Sequence, residues 1–185
     1  VDNQASKHSF SIFILNANMS FRQYYKHYLS DKIRTKKRKK LSILSIDKLN
    51  FPQYINEVTK SINLFNSEIE WDDMWNESEA ETRLSKNHNL FILLENEKPL
   101  GHVWYNKDYL YNAFVSKKRK DGDSAWFIQK TMWILKQNNR LTEVNLYVDS
   151  WNSRAKRFWE KIGFIQTKTK EIKNGREHQQ ATTEG

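Results

Sequence analysis

Along this chain the spacing of apolar side chains switches between a period of two and a period near 3.6, and each switch marks an element. Residues 9–16 alternate, with Phe10, Ile12 and Ile14 on one face, and predict a strand. Phe21, Tyr24, Tyr25, Tyr28 and Leu29 follow helical spacing, with Ser20 a suitable cap, and predict a helix over residues 21–29. Leu41–Ile46 predicts a strand, residues 51–65 a helix turning Tyr54, Ile55, Val58, Ile62 and Phe65 inward, and residues 71–85 a second helix. Asn89–Glu95 and residues 100–105 flank Asn96-Glu97-Lys98-Pro99 and predict a hairpin. Tyr109–Val115 predicts a strand, residues 124–138 a helix and Glu143–Asp149 another strand.

Two junctions carry more than periodicity. Residues 152–164 read N-S-R-A-K-R-F-W-E-K-I-G-F. Ala155, Phe158, Trp159 and Ile162 recur at i, i+3, i+4 and i+7 and form one helical stripe. Gly163 then supplies a stop, and Phe164 opens a new apolar run. Earlier, strand Tyr109–Val115 runs into Ser116-Lys117-Lys118-Arg119-Lys120-Asp121-Gly122-Asp123-Ser124 and a helix start. Unsatisfied N–H groups of a first helical turn, with cations nearby, favour an anion such as a diphosphate. Taken alone, such a loop is weak evidence for a bound diphosphate, because basic loops before helices are common.

The order Asn152, Arg154, Ala155, Phe158, Trp159, Gly163, Phe164 resembles the second half of the GCN5-related N-acetyltransferase superfamily. The basic loop resembles that family's phosphate loop, which has Arg or Gln, two residues, Gly, one residue, then Gly or Ala. Arg119, Gly122 and Ser124 give that spacing. A register shifted by one would use Lys120, Asp123 and Ala125, placing a carboxylate where backbone should meet phosphate. The resemblance covers about residues 41–170. It implies an α/β (α+β) fold: a central mixed, mostly antiparallel sheet of six or seven strands flanked by helices, here with an N-terminal strand–helix extension. The corresponding organisation is a basic extension at residues 1–40, an acetyltransferase-like domain at 41–175 and a polar tail at 176–185.

The resemblance also implies acetyl-coenzyme A as co-substrate and a primary amine as acceptor. Phe114 and Val115 would hold the pantetheine arm through backbone groups, and Arg119, Lys120, Gly122, Ser124, Asn152 and Arg154 would complete the cofactor contacts. One departure concerns Trp159, which stands where the family usually has the Tyr that protonates the departing thiolate. An indole N–H donates a hydrogen bond but no proton near neutral pH. Tyr147 and Tyr111 are substitutes. Candidate general bases are Glu70, Asp72, Asp73, His102 and Asp149, although each carboxylate is also readable as a solvated charge, and His102, between Gly101 and Val103, as a packed histidine.

Between Glu68 and Glu81 lie seven carboxylates and no Lys or Arg. Such a face is either simply solvated or attracts a cationic amine, with Glu70, Trp71 and Asp72 lining the acceptor site. Charge is otherwise uneven. The chain of 185 residues carries a net +9, of which residues 1–40 supply +8, leaving 21 basic and 20 acidic groups from residue 41 onward. The block Lys36-Lys37-Arg38-Lys39-Lys40 must face solvent or a polyanion. That gives a second functional class: a weak or inactive binding module whose residues 32–40 contact nucleic acid or another acidic surface.

The length suits one domain with a real core. The chain has no cysteine, which excludes thiol nucleophiles and disulfides and fits a reducing, cytoplasmic setting. Five dispersed histidines offer no metal-ligand spacing, so no metal is expected. No apolar run reaches the roughly 18–20 residues of a membrane span, and no leader pattern is visible. A homodimer is compatible with the sequence.

Overall fold

The computed structural model describes residues 19–29, 37–69, 75–139 and 141–173. The strand expected at residues 9–16 and the tail at 176–185 lie outside them. The strands are β1 (Met19–Tyr28), β2 (Leu41–Ile46), β3 (Asn89–Glu95), β4 (Lys98–Asn106), β5 (Tyr109–Val115), β6 (Glu143–Asp149) and β7 (Ile165–Lys173). The helices are α1 (Ile55–Glu68), entered through a 3-10 turn at Phe51–Tyr54, α2 (Glu77–Ser85), α3 (Asp123–Asn139) and α4 (Ser153–Lys161). The strands form one mixed sheet in the order β2-β3-β4-β5-β6-β1-β7. The β2–β3, β3–β4, β4–β5 and β1–β7 pairs are antiparallel, and β5–β6 is parallel.

The expected α+β class therefore holds, with one correction. The segment holding Phe21, Tyr24, Tyr25, Tyr28 and Leu29 is not a helix. All of it but Leu29 lies in β1, which pairs with β7 from Met19↔Lys173 to Lys26↔Ile165 with a register shift between Tyr24 and Tyr25. Aromatic residues favour a pleated, half-buried surface. The two buried residues Arg22 and Tyr25 lie on opposite pleats, so no alternation marks the strand and their spacing imitates a helical turn.

Smaller differences have local causes. Helix α2 begins at Glu77 because Asn76 is its cap, the side chain accepting from Glu79 N at 2.9 Å. Ile55 faces outward at 39% exposure, while Val58, Ser61, Ile62 and Phe65 are buried. The β3–β4 turn is the two-residue Asn96-Glu97, both left-handed at φ 49° and 66°, the turn geometry that matches strand twist.

The chain divides into two compact units, residues 27–146 and residues 1–26 with 147–185. In the first, Val58, Ile62 and Phe65 of α1 join Trp75 and Ala80 and Leu84 of α2 over Ile46, Leu90, Ile92, Trp104 and Phe114 of the strands. Helix α3 buries Phe127, Ile128, Met132 and Leu135. In the second unit Ser150 N donates to Phe21 O at 2.7 Å, and the Tyr25 hydroxyl donates to Glu160 Oε1 at 3.2 Å. Trp159 is buried edge-on between Phe158 and Phe164, with ring centres 5.0 and 5.2 Å away.

Candidate active site

The centre of the larger unit is the end of β5. Its register against β4 slips between Trp104↔Tyr111 and His102↔Phe114, so Asn112 and Ala113 together face Val103. This is a β-bulge, and Asn112 takes the left-handed conformation it requires, at φ 47°. Asn is the side chain that tolerates this region best after Gly, because its short amide bonds locally. Opposite Val115, Gly101 is needed for close approach: a Cβ there would meet Phe114 O and lie 2.9 Å from Val115 Cα. The parallel pairing of β5 with β6 is pinned at Tyr109↔Asn145. Asn145 donates there through its backbone N and its Nδ2 to Asp108, both at 2.7 Å.

Beyond the bulge comes the basic loop. Ser116 is buried; its hydroxyl donates to Glu68 Oε1 at 2.5 Å, and Lys117 N donates to Glu68 Oε2 at 2.8 Å. Burial opposes the charged form of Glu68. The hydrogen bonds from Ser116 and Lys117 and the ammoniums of Lys117 and Lys118 outweigh it and hold the carboxyl below its usual range. Lys120 N donates to Asp123 Oδ2 at 2.9 Å, a reach-back of the kind that caps helices. The buried Asp123 carboxylate also takes an ion pair from Arg38 of the basic stretch, and the Arg38 guanidinium lies over Gly122. Gly122 sits at φ 81°, a conformation that strains any other residue, and a Cβ there would meet the end of the Arg38 side chain. Lys120 Nζ is paired with Glu95 at 3.0 Å, and Arg119 Nη1 donates to Ser116 O at 3.1 Å.

A diphosphate fits this loop in part. The N–H groups of Asp121 and Gly122 make no hydrogen bond among the described residues, whereas those of Lys117 and Lys120 are held by carboxylates. The loop thus offers an anion fewer backbone donors than its length suggests, supplemented by cations.

His102 lies beneath the bulge, wholly buried, with Nδ1 3.0 Å from Ser61 Oγ and its ring stacked on Trp75 at 5.2 Å. Burial, with the Arg83 guanidinium nearby, pushes its pKa down to about 3. Such an imidazole holds a proton too weakly to serve as a base near neutral pH. The Tyr111 hydroxyl is engaged with His88 Nδ1. Glu70, Trp71, Asp72 and Asp73 lie outside the described residues. Of the rest of the acidic run, Glu68 ends α1 and accepts from the basic loop, Glu77 accepts from Thr59, and Glu79 and Glu81 are exposed. Beside them opens a cavity of about 470 Å³ lined by Thr59, Ile62, Asn63, Trp75, Asn76 and Glu77.

The smaller unit holds the other motif residues. The Asn152 side chain accepts from Ala155 N at 3.0 Å and caps α4. Arg154 is exposed, and Gly163 at φ 100° ends the helix. Tyr147 lies under the Arg22 guanidinium, 4.5 Å from its ring centre, and Arg22 also reaches Asp149 at 3.4 Å. The fold thus brings Phe114, Val115, Arg119, Lys120, Gly122 and Ser124 onto one strand–loop–helix connection of the larger unit.

A family profile described as an acetyltransferase (GNAT) domain matches residues 58–184, more than half of the chain. The chain belongs to the GNAT acetyltransferase family. Solved structures agree in fold. A GCN5-related N-acetyltransferase from Sphaerobacter thermophilus is 14% identical with a TM-score of 0.54, and the match covers 92% of this chain and 58% of that one. The aminoglycoside acetyltransferase meta-AAC0020 from an uncultured soil metagenomic sample is 19% identical with a TM-score of 0.52, covering 66% and 87%. A conserved Staphylococcus epidermidis protein of unknown function is 13% identical with a TM-score of 0.52, covering 91% and 67%. No curated protein matches. GNAT enzymes use acetyl-coenzyme A. Among the described residues no group of side chains is arranged to hold a metal, and no helix is long and apolar enough to cross a membrane.

Sequence reasoning missed Arg38, Glu68, Gly101 and Asn112 as site-shaping residues. Gly101 and Asn112 carried a signal, since both are poor strand formers set inside strands. Glu68 and Arg38 carried none, because their partners are distant in sequence.

Proposed function

We propose that this GNAT protein transfers the acetyl group of acetyl-coenzyme A to the primary amine of a cationic small molecule or peptide. The observation that carries this reading is the Asn112 bulge leading directly into a loop with open Asp121 and Gly122 donors. In this reading Phe114 and Val115 pair with the pantetheine arm, and a β5 N–H polarises the thioester carbonyl. Arg119, Lys120, Gly122 and Ser124 take the diphosphate, and Asn152 and Arg154 are assigned to the cofactor through the family motif. The amine nitrogen attacks the carbonyl carbon, its proton passes to a base, and the carbon–sulfur bond breaks with its electrons on sulfur. His102 is too weak a base at a pKa of about 3, which favours a carboxylate of the acidic run, Asp73 first. Tyr147 is the proton donor in place of Trp159; a thiolate of pKa about 8.5 leaves tolerably without one.

A cationic acceptor is favoured because Glu77 of the acidic run lines the cavity beside Trp75, and the sequence assigns Glu70, Trp71 and Asp72 of the same run to the binding face. The cysteine-free sequence fits a cytoplasmic setting. Calorimetric titration of the full chain with acetyl-coenzyme A tests the cofactor half, and binding is expected at micromolar to millimolar ligand. A thiol-release assay over polyamines, lysine peptides and sisomicin, with which one structural relative was solved, tests the acceptor half. No binding at millimolar acetyl-coenzyme A would overturn the proposal. A second reading, a binding module on the same fold, is favoured by one observation: Glu68 and Asp123 already occupy the Lys117 and Lys120 donors.

A further inference from the structure

We propose that the basic turn at residues 37–40 is a phosphate-monoester subsite beside the phosphate loop, suited to the ribose phosphate of the coenzyme A co-substrate. This rests on the acetyl-coenzyme A reading above and extends it to residues outside the matched family region, which begins at residue 58.

The turn is built into the larger unit. Leu41 N donates to Arg38 O at 3.2 Å, and Asn96 N, in the β3–β4 turn, donates to Lys40 O at 3.0 Å. From the other side Arg38 reaches the loop, pairing with Asp123 and donating to Asp121 O at 3.5 Å. Between turn and loop lies a cleft of about 360 Å³, lined by Arg38, Lys39, Lys40, Glu95, Lys120 and Asp123. Its charges do not cancel. Asp123 is matched by Arg38 and by Lys120 N, and Glu95 by Lys120 Nζ. Lys39 and Lys40 make no ion pair among the described residues and are the surplus charge.

A lone exposed lysine pair would say little. Here the pair lines a cleft adjoining a loop whose exposed Asp121 and Gly122 N–H groups make no hydrogen bond among the described residues. A phosphate monoester carries a charge of about −2 near neutral pH, which two ammoniums match. From residue 41 onward basic and acidic groups are nearly equal, 21 against 20, which favours one compact anion over an extended polyanion.

The test is calorimetric titration of the full chain with acetyl-coenzyme A and with its 3′-dephospho analogue, for wild type and a Lys39→Gln/Lys40→Gln variant. Arg38 is left intact because its loss strands the buried Asp123 carboxylate. Both lysine side chains are exposed, and matched thermal unfolding of variant and wild type checks the fold. Wild type is expected to favour the phosphorylated ligand by about tenfold or more. The variant is expected to lose that preference while binding the dephospho form as before. Equal affinity of wild type for the two ligands, or a preference that survives in the variant, overturns the subsite and leaves acetyl-coenzyme A binding standing. Binding of neither ligand overturns both readings. Tighter binding of a short RNA than of either ligand, lost in the variant, replaces the subsite with a nucleic-acid contact.

Discussion

In the segment at residues 152–164 the bonds that cap and end the helix are short-range, although Glu160 also accepts from Tyr25. Asn152 accepts from Ala155 N, and Phe164 N donates to Trp159 O as the chain leaves α4 past Gly163. The loop at residues 116–124 is organised differently. Its Ser116 hydroxyl and Lys117 N–H answer to Glu68, 48 residues away from Ser116, and its Asp123 to Arg38, 85 residues away. Both stretches carry family residues. In the first, the motif is what the local backbone needs in order to turn, coil and stop. In the second, side chains from elsewhere in the unit occupy donors that a ligand would otherwise take. A motif match therefore rests on local backbone bonding in one place and on partners distant in sequence in the other.

Arg38→Ala strikes that difference hardest. It leaves Asp123 buried with only the Lys120 N–H, and because Arg38 is itself partly exposed the expected loss is about 2–3 kcal/mol. Urea unfolding measures it. A loss under about 0.5 kcal/mol would show that the loop does not depend on its distant partner.

The next effect separates the body of the larger unit from the loop it carries. His102 is buried neutral, its pKa depressed from 6.5 to about 3. The unfolded chain binds the proton first as pH drops, so the His102 contribution is full above pH 6.5 and is lost progressively toward pH 3. By pH 5 the loss is roughly 2 kcal/mol. Urea midpoints at pH 7 and pH 5 read this slope, and His102→Gln is expected to flatten it. His88, also depressed by burial, adds in the same direction, so the variant retains a residual slope.

The smallest effect belongs to the short-range motif. Asn152→Ala removes one cap bond and is expected to cost about 1 kcal/mol. A much larger loss, or a change in the pH slope, would mean that α4 is not the self-contained element its bonding suggests.

These contrasts explain what was legible in the sequence. Strands Leu41–Ile46, Asn89–Glu95, Tyr109–Val115 and Glu143–Asp149 carry their own boundaries, with apolar positions that run on in Asn89–Glu95 and alternate in Glu143–Asp149. Strand β1 was unreadable because Arg22 and Tyr25 are buried on opposite pleats, which erases the alternation that identifies a strand. The bulge was half legible, since an Asn and a Gly inside apolar strands mark irregularity without giving its geometry. Asp121 and Asp123 put carboxylates into a loop expected to meet phosphate. For Asp123 the reason is Arg38, and nothing in the intervening residues links the two.

The Arg38 contact also bears on any fragment of this protein. Cutting away residues 1–40 is the direct way to ask whether the basic stretch recruits a nucleic acid. That cut would also remove β1 from the sheet and the counterion from Asp123. Lost binding by the shortened protein would then report a collapsed loop as readily as a missing contact. Point changes at Lys39 and Lys40 leave both supports in place, so any role for the basic residues is best judged from them.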